Sequence, residues 1–92
     1  MSENMTQAIK VLYETLAKVN GKEDFELLFN DLCTYKEIES MAQRIKSAKM
    51  LLEGSTYEEI IKETNISSAT LSRVSKCVKY GKGYKKILSL ND

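Results

Sequence analysis

The sequence has no histidine, no proline and no tryptophan, and it contains only two cysteines and four glycines. Without histidine, and with Cys33 and Cys77 far apart, the chain has no Cys/His spacing of the kind that holds structural zinc. Neither thiol has a histidine that could activate it as a nucleophile. Glycine-rich phosphate loops are also missing, and the acids lie scattered on polar helix faces. We therefore expect no enzyme, no metal site and no cofactor.

Long apolar runs are absent too, since no stretch of 18 consecutive apolar residues occurs. The N-terminal segment MSENMTQAIK has neither the basic start nor the apolar centre of a signal peptide. The composition, 42% hydrophobic and 29% charged, is ordinary for a globular protein. These features predict one cytoplasmic domain over residues 1–92, with no membrane partner.

Acidic residues are missing from most of the C-terminal third. Residues 1–63 contain eight Lys/Arg and twelve Asp/Glu, a balance of −4, whereas residues 64–91 contain six Lys/Arg and no acid. A surface of one sign is the electrostatic footprint of a face that meets phosphates. A merely solvated basic tail is the alternative interpretation. The asymmetry favours a partner that carries phosphates, and double-stranded DNA is such a partner.

The periodicity of the apolar residues predicts helices only, because no alternation with a period of two extends beyond a few residues. The first helix is predicted over Met5–Val19, and Asn20 with Gly21 supplies its stop. Its apolar stripe is wide for a terminal helix of so small a protein and needs a surface to bury against. We therefore assign residues 1–32 mainly to dimerisation.

The remaining segments also have helical patterns. A second helix is predicted over Glu23–Leu32. A third begins at Thr34, which forms a capping-box pattern with Glu37, and ends at Gly54, which suits a left-handed C-cap. Residues 80–92 are predicted to be a basic C-terminal segment, in which YGKGYKK breaks the pattern and ILSL forms a last apolar turn or short helix.

Residues 56–79 have the pattern of two short helices joined by a tight turn, which is the plan of a helix-turn-helix. A second capping box, Thr56 with Glu59, starts the first of these helices. Asn65 tolerates the positive φ that the turn requires, and Ser67 caps the helix that follows. Apolar side chains are spaced to meet in the corner between the two helices: Ile60, Ile61, Ile66 and Leu71.

The second helix of this motif carries small polar and basic residues on its outer face. If Leu71, Val74 and Val78 face the core, these residues point outward or to the flanks. The predicted DNA-binding residues are Thr56, Tyr57, Ser67, Ser68, Ala69, Thr70, Ser72, Arg73, Lys76 and Lys79. Short side chains do not form bidentate hydrogen bonds with bases, so water bridges and DNA shape would carry much of the specificity.

Two stretches, RIKSAKMLLEG at residues 44–54 and ISSATLSR at 66–73, resemble the Trp repressor superfamily, and most of all its YerC/YecD branch. The similarity extends from about residue 29 to residue 84. It implies an all-α, Trp repressor-like helical bundle that forms an interlocked homodimer, in which the first helices of each subunit wrap the other. The implied function is a sequence-specific DNA-binding transcriptional regulator, most simply a repressor, whose two half-sites lie about one helical turn (~34 Å) apart.

The resemblance also implies a ligand site. In the family's repressor an indole lies between two arginines, which are present here as Arg44 and Arg73, and Thr34 matches a family position near the ligand. However, Val74 replaces a glycine that leaves room for the indole, and overpacking costs about 1–3 kcal/mol. Cys77 replaces a serine that meets the ligand's amino group, and a thiol bonds weakly. We therefore do not expect tryptophan as corepressor, although another small-molecule effector stays open.

Arg44 has an alternative interpretation as a structural contact between helices or subunits.

A second departure from the family concerns Glu58 and Ile61, which stand where the repressor's first motif helix has basic, phosphate-contacting residues. A carboxylate beside a phosphate repels it. The alternative function is therefore a protein-interaction module that keeps the helix-turn-helix shell without specific DNA binding, although the acid-free stretch argues against it.

Overall fold

The computed structural model describes residues 2–89, and every regular element in these residues is a helix. The prediction of an all-α fold is confirmed. In chain order the helices are α1 (Glu3–Leu16), α2 (Lys22–Leu32), α3 (Tyr35–Leu52), α4 (Tyr57–Thr64), α5 (Ser68–Tyr80) and α6 (Gly83–Leu88). The chain forms two compact units, one ending at Thr34 and the other beginning at Tyr35. The end of the predicted basic segment, residues 90–92, lies outside the described residues.

Helix α1 begins at a side-chain cap and ends earlier than its apolar pattern suggests. The hydroxyl oxygen of Ser2 accepts a hydrogen bond from the Met5 amide at 3.1 Å. The predicted end at Val19 was wrong, because the helix stops at Leu16. The amides of Lys18 and Val19 bond to carbonyls three residues back, which tightens the chain into a turn. The spacing of apolar residues in the sequence does not reveal this change of backbone hydrogen bonding.

Helix α2 begins at Lys22 and is preceded by the N-cap residue Gly21, whose φ of 91° favours glycine. Glycine has no side chain that could cap the helix. The Asp24 carboxylate instead accepts a hydrogen bond from the Asn20 amide at 3.3 Å, which stabilises the start of the helix. Farther along, the rings of Phe25 and Phe29 meet edge to face with centroids 6.0 Å apart. This pair is an apolar feature of the first unit.

Neither α1 nor α2 contains a buried residue. Both helices nevertheless carry large apolar side chains, which are exposed: Met5, Val11, Leu12, Tyr13, Phe25, Leu27 and Leu32. The apolar stripe predicted for α1 therefore exists on the folded helix, but its members are left in contact with solvent.

The second unit is built around α3, which packs against α4, α5 and α6. Its core consists of Ala48, Met50, Ile60, Ile66, Leu71, Val74 and Val78. Three of these side chains, those of Ala48, Ile60 and Leu71, have no accessible surface. The core face predicted for α5 is confirmed, and it fixes which side of that helix looks outward.

Helix α3 ends at Leu52, and Gly54 follows as the predicted left-handed residue that closes it. The φ of Gly54 is 90°, a left-handed conformation that costs glycine little. The Gly54 amide bonds to the Leu51 carbonyl at 3.1 Å, and the Ser55 amide bonds to the Met50 carbonyl at 2.9 Å. This paired arrangement is a Schellman motif, which satisfies two terminal carbonyls and turns the chain toward α4.

The C-terminal helix begins earlier than predicted, because YKK of the supposed break lies inside α6. Helix α6 packs against α3 and α5, and Tyr84 and Leu88 lie against the core. In addition, the Lys85 ammonium donates to the Lys79 carbonyl at the end of α5, over 2.9 Å. Tertiary packing therefore outweighs the low helix propensity of Gly83.

Candidate nucleic-acid interface

Helix α4 starts with the predicted capping box, which is confirmed. The Glu59 amide donates to the Thr56 hydroxyl oxygen at 3.2 Å, and the Thr56 amide donates to a Glu59 carboxylate oxygen at 2.8 Å. The hydrogen bonds from Thr56 hold the pKa of the Glu59 carboxyl below its usual value, because they favour the charged form. The reciprocal bonds give the helix-turn-helix a defined first residue.

The turn between α4 and α5 contains Asn65, Ile66 and Ser67 alone. Asn65 adopts the predicted left-handed conformation, with φ 61° and ψ 21°, and its amide bonds to the Ile61 carbonyl at 2.8 Å. The Ile66 amide donates to the Thr64 hydroxyl oxygen at 3.2 Å. The buried side chain of Ile66 anchors the turn in the core. The turn is thus fixed by both backbone and side-chain contacts.

The first residues of α5 hydrogen-bond one another. Ser67 accepts from the Thr70 amide at 3.2 Å, and its hydroxyl lies 2.9 Å from the Thr70 hydroxyl. Ser67 is thus the predicted N-cap, which satisfies an amide that the helix leaves without a partner. Thr70 is half-buried. The hydroxyls of these two predicted DNA-binding residues therefore also hold the start of the helix in place.

The outer face of α5 is exposed, as the helical arithmetic predicts. Its exposed residues are Ser68, Ala69, Ser72, Arg73, Lys76 and Lys79. Three of them, Ser72, Arg73 and Lys76, line a shallow cleft of about 320 Å³. At the start of the motif, Thr56 and Tyr57 are exposed as well, with 44% of Tyr57 accessible. All ten predicted contact residues lie within this one motif.

The cations of α5 are not neutralised by neighbouring acids. Between residues 2 and 89, the ion pairs are Lys22 with Glu26 and Lys46 with Glu63, neither of which involves α5. The positive face therefore remains available to an anion. Glu58, in the first turn of α4, is exposed and adds negative charge at one edge of the motif.

The residues implied in ligand binding lie on different elements. Thr34 is the last residue of the first unit, whereas Arg44 on α3 and Arg73 on α5 are both exposed in the second. Val74 is only 2% exposed and forms part of the core, and Cys77 is half-buried. The space next to Arg73 on the inner side of α5 is therefore filled by a packed aliphatic side chain.

A polar connection between α3 and the turn is a feature that sequence reasoning missed. The Gln43 carboxamide donates to the Thr64 carbonyl at 3.1 Å, and Lys46 pairs with Glu63 at 3.8 Å. These residues line a cleft of about 310 Å³. One signal was present, because Gln43 shares a helical face with Ser47 and Met50, which are buried. That spacing places Gln43 toward the second unit's interior but cannot name its partner.

Residues 2–89 contain neither a metal-binding cluster nor a membrane-spanning helix. No group of three or more metal-ligating side chains could hold a metal ion in this part of the chain. None of the described helices is long and apolar enough to cross a membrane.

The family model of the Trp repressor protein matches residues 7–91. The chain belongs to the Trp repressor family. It is 46% identical over 70 residues to the uncharacterised protein YerC of Bacillus subtilis (strain 168), a stretch covering 76% of this chain and 67% of YerC.

Two crystal structures of Trp repressor-like proteins have the same fold. One is of a candidate Trp repressor from Staphylococcus aureus and the other of a TrpR-like protein from Eubacterium eligens. Each has a TM-score of 0.84 and 37% identity over 90% of this chain, and the match covers 84% and 87% of those proteins, respectively. The resemblance seen in the sequence is confirmed. The Trp repressor family is one of regulators, and the chain is not an enzyme.

Proposed function

We propose that the protein is a DNA-binding transcriptional regulator that acts as a homodimer, in the cytoplasm, and most simply as a repressor. The observation that carries this proposal is the outer face of α5, which is exposed, rich in small polar residues and free of acids. Its N-terminal end follows a turn that is held in the core. A helix presented in this way can enter the major groove.

Different residues of the motif would serve different parts of recognition. Ser68, Ala69 and Ser72 are short enough to let the backbone of α5 approach base edges. Lys76 and Lys79 would contact phosphates, which position the protein without conveying sequence. Repression then requires only that the bound protein occupies a promoter.

A second copy of the chain would cover the apolar faces left exposed. These faces include Leu12 on α1 and, on α3, Ile45 and Leu52, all of which are well exposed. Exposed apolar surface of this extent favours association, because its burial is worth about 25 cal/mol per Å². A two-fold dimer would present two α5 helices to a pseudo-palindromic site.

We further propose that tryptophan is not the effector. The side chain of Val74 is packed in the core beside Arg73, and Cys77 offers only a weak hydrogen-bonding group. An effector of a different shape is compatible with Arg44 and Arg73, which are exposed cations. Arg44 has no ion pair within the described residues, which is consistent with a contact to a ligand or to a second subunit.

Glu58 supports a second candidate function. Its exposed carboxylate would lie beside the phosphates in a docked complex and repel them. The motif would then be a protein-interaction module without specific DNA binding. The six cations of residues 64–91 oppose this reading and make DNA the better proposal.

Fluorescence anisotropy with a labelled random duplex, at low and at moderate salt, tests the proposal. Binding should weaken with salt by about 0.9 log units per log unit of salt for each phosphate neutralised. Replacing Lys76 and Lys79 by Ala should reduce this slope. Lack of salt-dependent binding at micromolar protein would leave the protein-interaction module as the better description. If the duplex is bound, selection from random duplexes would identify the preferred site.

A further inference from the structure

The turn of the helix-turn-helix is tied to α3 by a hydrogen bond that spans 21 residues of sequence. The Gln43 side-chain amide donates to the Thr64 carbonyl over 3.1 Å in a partly buried setting. Because a carbonyl only accepts, the amide nitrogen of Gln43, and not its oxygen, must face Thr64.

The Thr64 carbonyl is one of those that the end of α4 leaves without a helical partner, since Asn65 leaves the helix in a left-handed conformation. Gln43 therefore supplies the partner that the next turn of helix would have provided. Loss of this donor would leave a partly buried carbonyl unsatisfied, which costs more than an average hydrogen bond contributes.

Thr64 is also held from within the motif. Its hydroxyl donates to the Ile60 carbonyl at 2.8 Å and accepts from the Ile66 amide at 3.2 Å. Side-chain and backbone groups of one residue thus connect α4, the turn and α3. Ser67, the N-cap of α5, follows only three residues later. A shift at Thr64 would move the N-terminal end of α5.

We propose that Gln43 is a positioning residue that sets the angle at which α5 meets DNA. Helix α3 is the longest helix of the second unit and packs against the other three, so it is the fixed body to which the turn is tied. The apolar core holds α5 through Leu71, Val74 and Val78, and it holds the turn through Ile66. Gln43 adds a directional polar bond at the N-terminal side of α5, where the proposed base-reading residues lie.

The ion pair next to this bond serves a lesser role. Lys46 and Glu63 lie 3.8 Å apart, and each side chain is about half exposed. Exposed pairs of this kind contribute little because water and salt screen them. Lys46 therefore provides a matched control, located on the same helix and joined to the same segment of α4.

The experiment compares wild type with Q43L, an apolar variant that cannot donate, and with the control K46Q. This inference rests on the proposed DNA binding, so wild-type affinity is measured first, for a selected duplex and for a random duplex. The ratio of the two affinities reports sequence discrimination. Hydrogen exchange of the Ile66 amide reports the order of the turn in the free protein.

In Q43L we expect the discrimination ratio to fall about tenfold and the Ile66 amide to exchange faster. Helicity and binding to the random duplex should stay as in wild type, since phosphate contacts tolerate a tilt that base contacts do not. K46Q should keep the wild-type ratio and exchange rate. A Q43E variant, which also cannot donate and brings a carboxylate against the carbonyl, should reproduce the loss seen in Q43L.

Unchanged discrimination and unchanged exchange in Q43L would overturn the positioning role while leaving the proposed function intact. An equal loss of affinity for both duplexes would also overturn it, because that result describes general destabilisation. Wild type that binds neither duplex would overturn the proposed function, and this inference with it.

Discussion

Thr56 and Glu59 each donate a backbone amide to the other's side chain, over 2.8 and 3.2 Å, and together they fix the first turn of α4. The Glu59 carboxylate is the acceptor in one of these bonds. Protonation of Glu59 removes negative charge both from that bond and from the positive end of the helix dipole. The start of the motif is therefore sensitive to acid.

The E59Q variant should lose the pH-dependent part of this stabilisation. The pKa of Glu59 is lowered in the folded protein, so its contribution is fully present above the unfolded-state pKa. It is lost as the pH falls through the folded-state pKa. Urea unfolding from pH 7 to pH 3 should show wild type more stable than E59Q at neutral pH, with the difference shrinking in acid. Glu58 takes no part in the capping bonds, so E58Q is the matched control and should show a smaller pH-dependent difference from wild type. A difference as large as that of E59Q would contradict the prediction.

Replacing Ser72 and Arg73 together by Ala should weaken DNA binding by about tenfold or more, because the variant removes a cation and a polar contact from the exposed face of α5. Both positions face outward, so circular dichroism and the oligomeric mass should match wild type. The variant K36A removes an exposed cation from α3 as a control. Wild-type affinity of the double variant, measured by anisotropy, would refute the proposed reading face.

Tryptophan should leave the protein unaffected. A ligand that binds the folded state raises the unfolding temperature as its concentration passes its Kd, and the packed side chain of Val74 leaves no such site for an indole. We expect no shift in thermal unfolding at millimolar tryptophan, and destabilisation of about 2 kcal/mol in V74A from the cavity created. A saturable shift in wild type would show that the core opens to admit the ligand.

The L12E variant should be monomeric. Leu12 lies on the apolar face of α1 and is 39% exposed in the single chain. Burial of the introduced carboxylate against a second subunit would be costly. Light scattering coupled to size exclusion should report half the wild-type mass. K10E places the same charge at an exposed polar position of α1 and should remain dimeric. A dimeric L12E protein would exclude this face from the interface.

Local features of this chain were predictable because their causes lie within a few residues. Each of these features depends on residues no more than three positions apart. They are the capping box at Thr56, the left-handed residues Gly54 and Asn65, and the N-cap at Ser67. The outward face of α5 followed from helical arithmetic once Leu71 and its neighbours were assigned to the core.

Features that depend on distant contacts were not predictable. The bond from Gln43 to Thr64 joins positions separated by 21 residues, and no local pattern pairs them. Helix α6 begins at Gly83 because Tyr84 and Leu88 pack against a core supplied by other helices. The early end of α1 depends on a change of backbone hydrogen bonding that leaves the apolar spacing unaltered.

Helices α1 and α2 bury none of their residues within the single chain. This exposure affects how the activity of such a regulator depends on its own concentration. If these helices are covered by a second copy, the binding-competent species forms in proportion to the square of the subunit concentration while dimers are scarce. Occupancy of a promoter would then rise more steeply than synthesis. Dilution at cell division would release the promoter more abruptly than it would for a monomeric regulator.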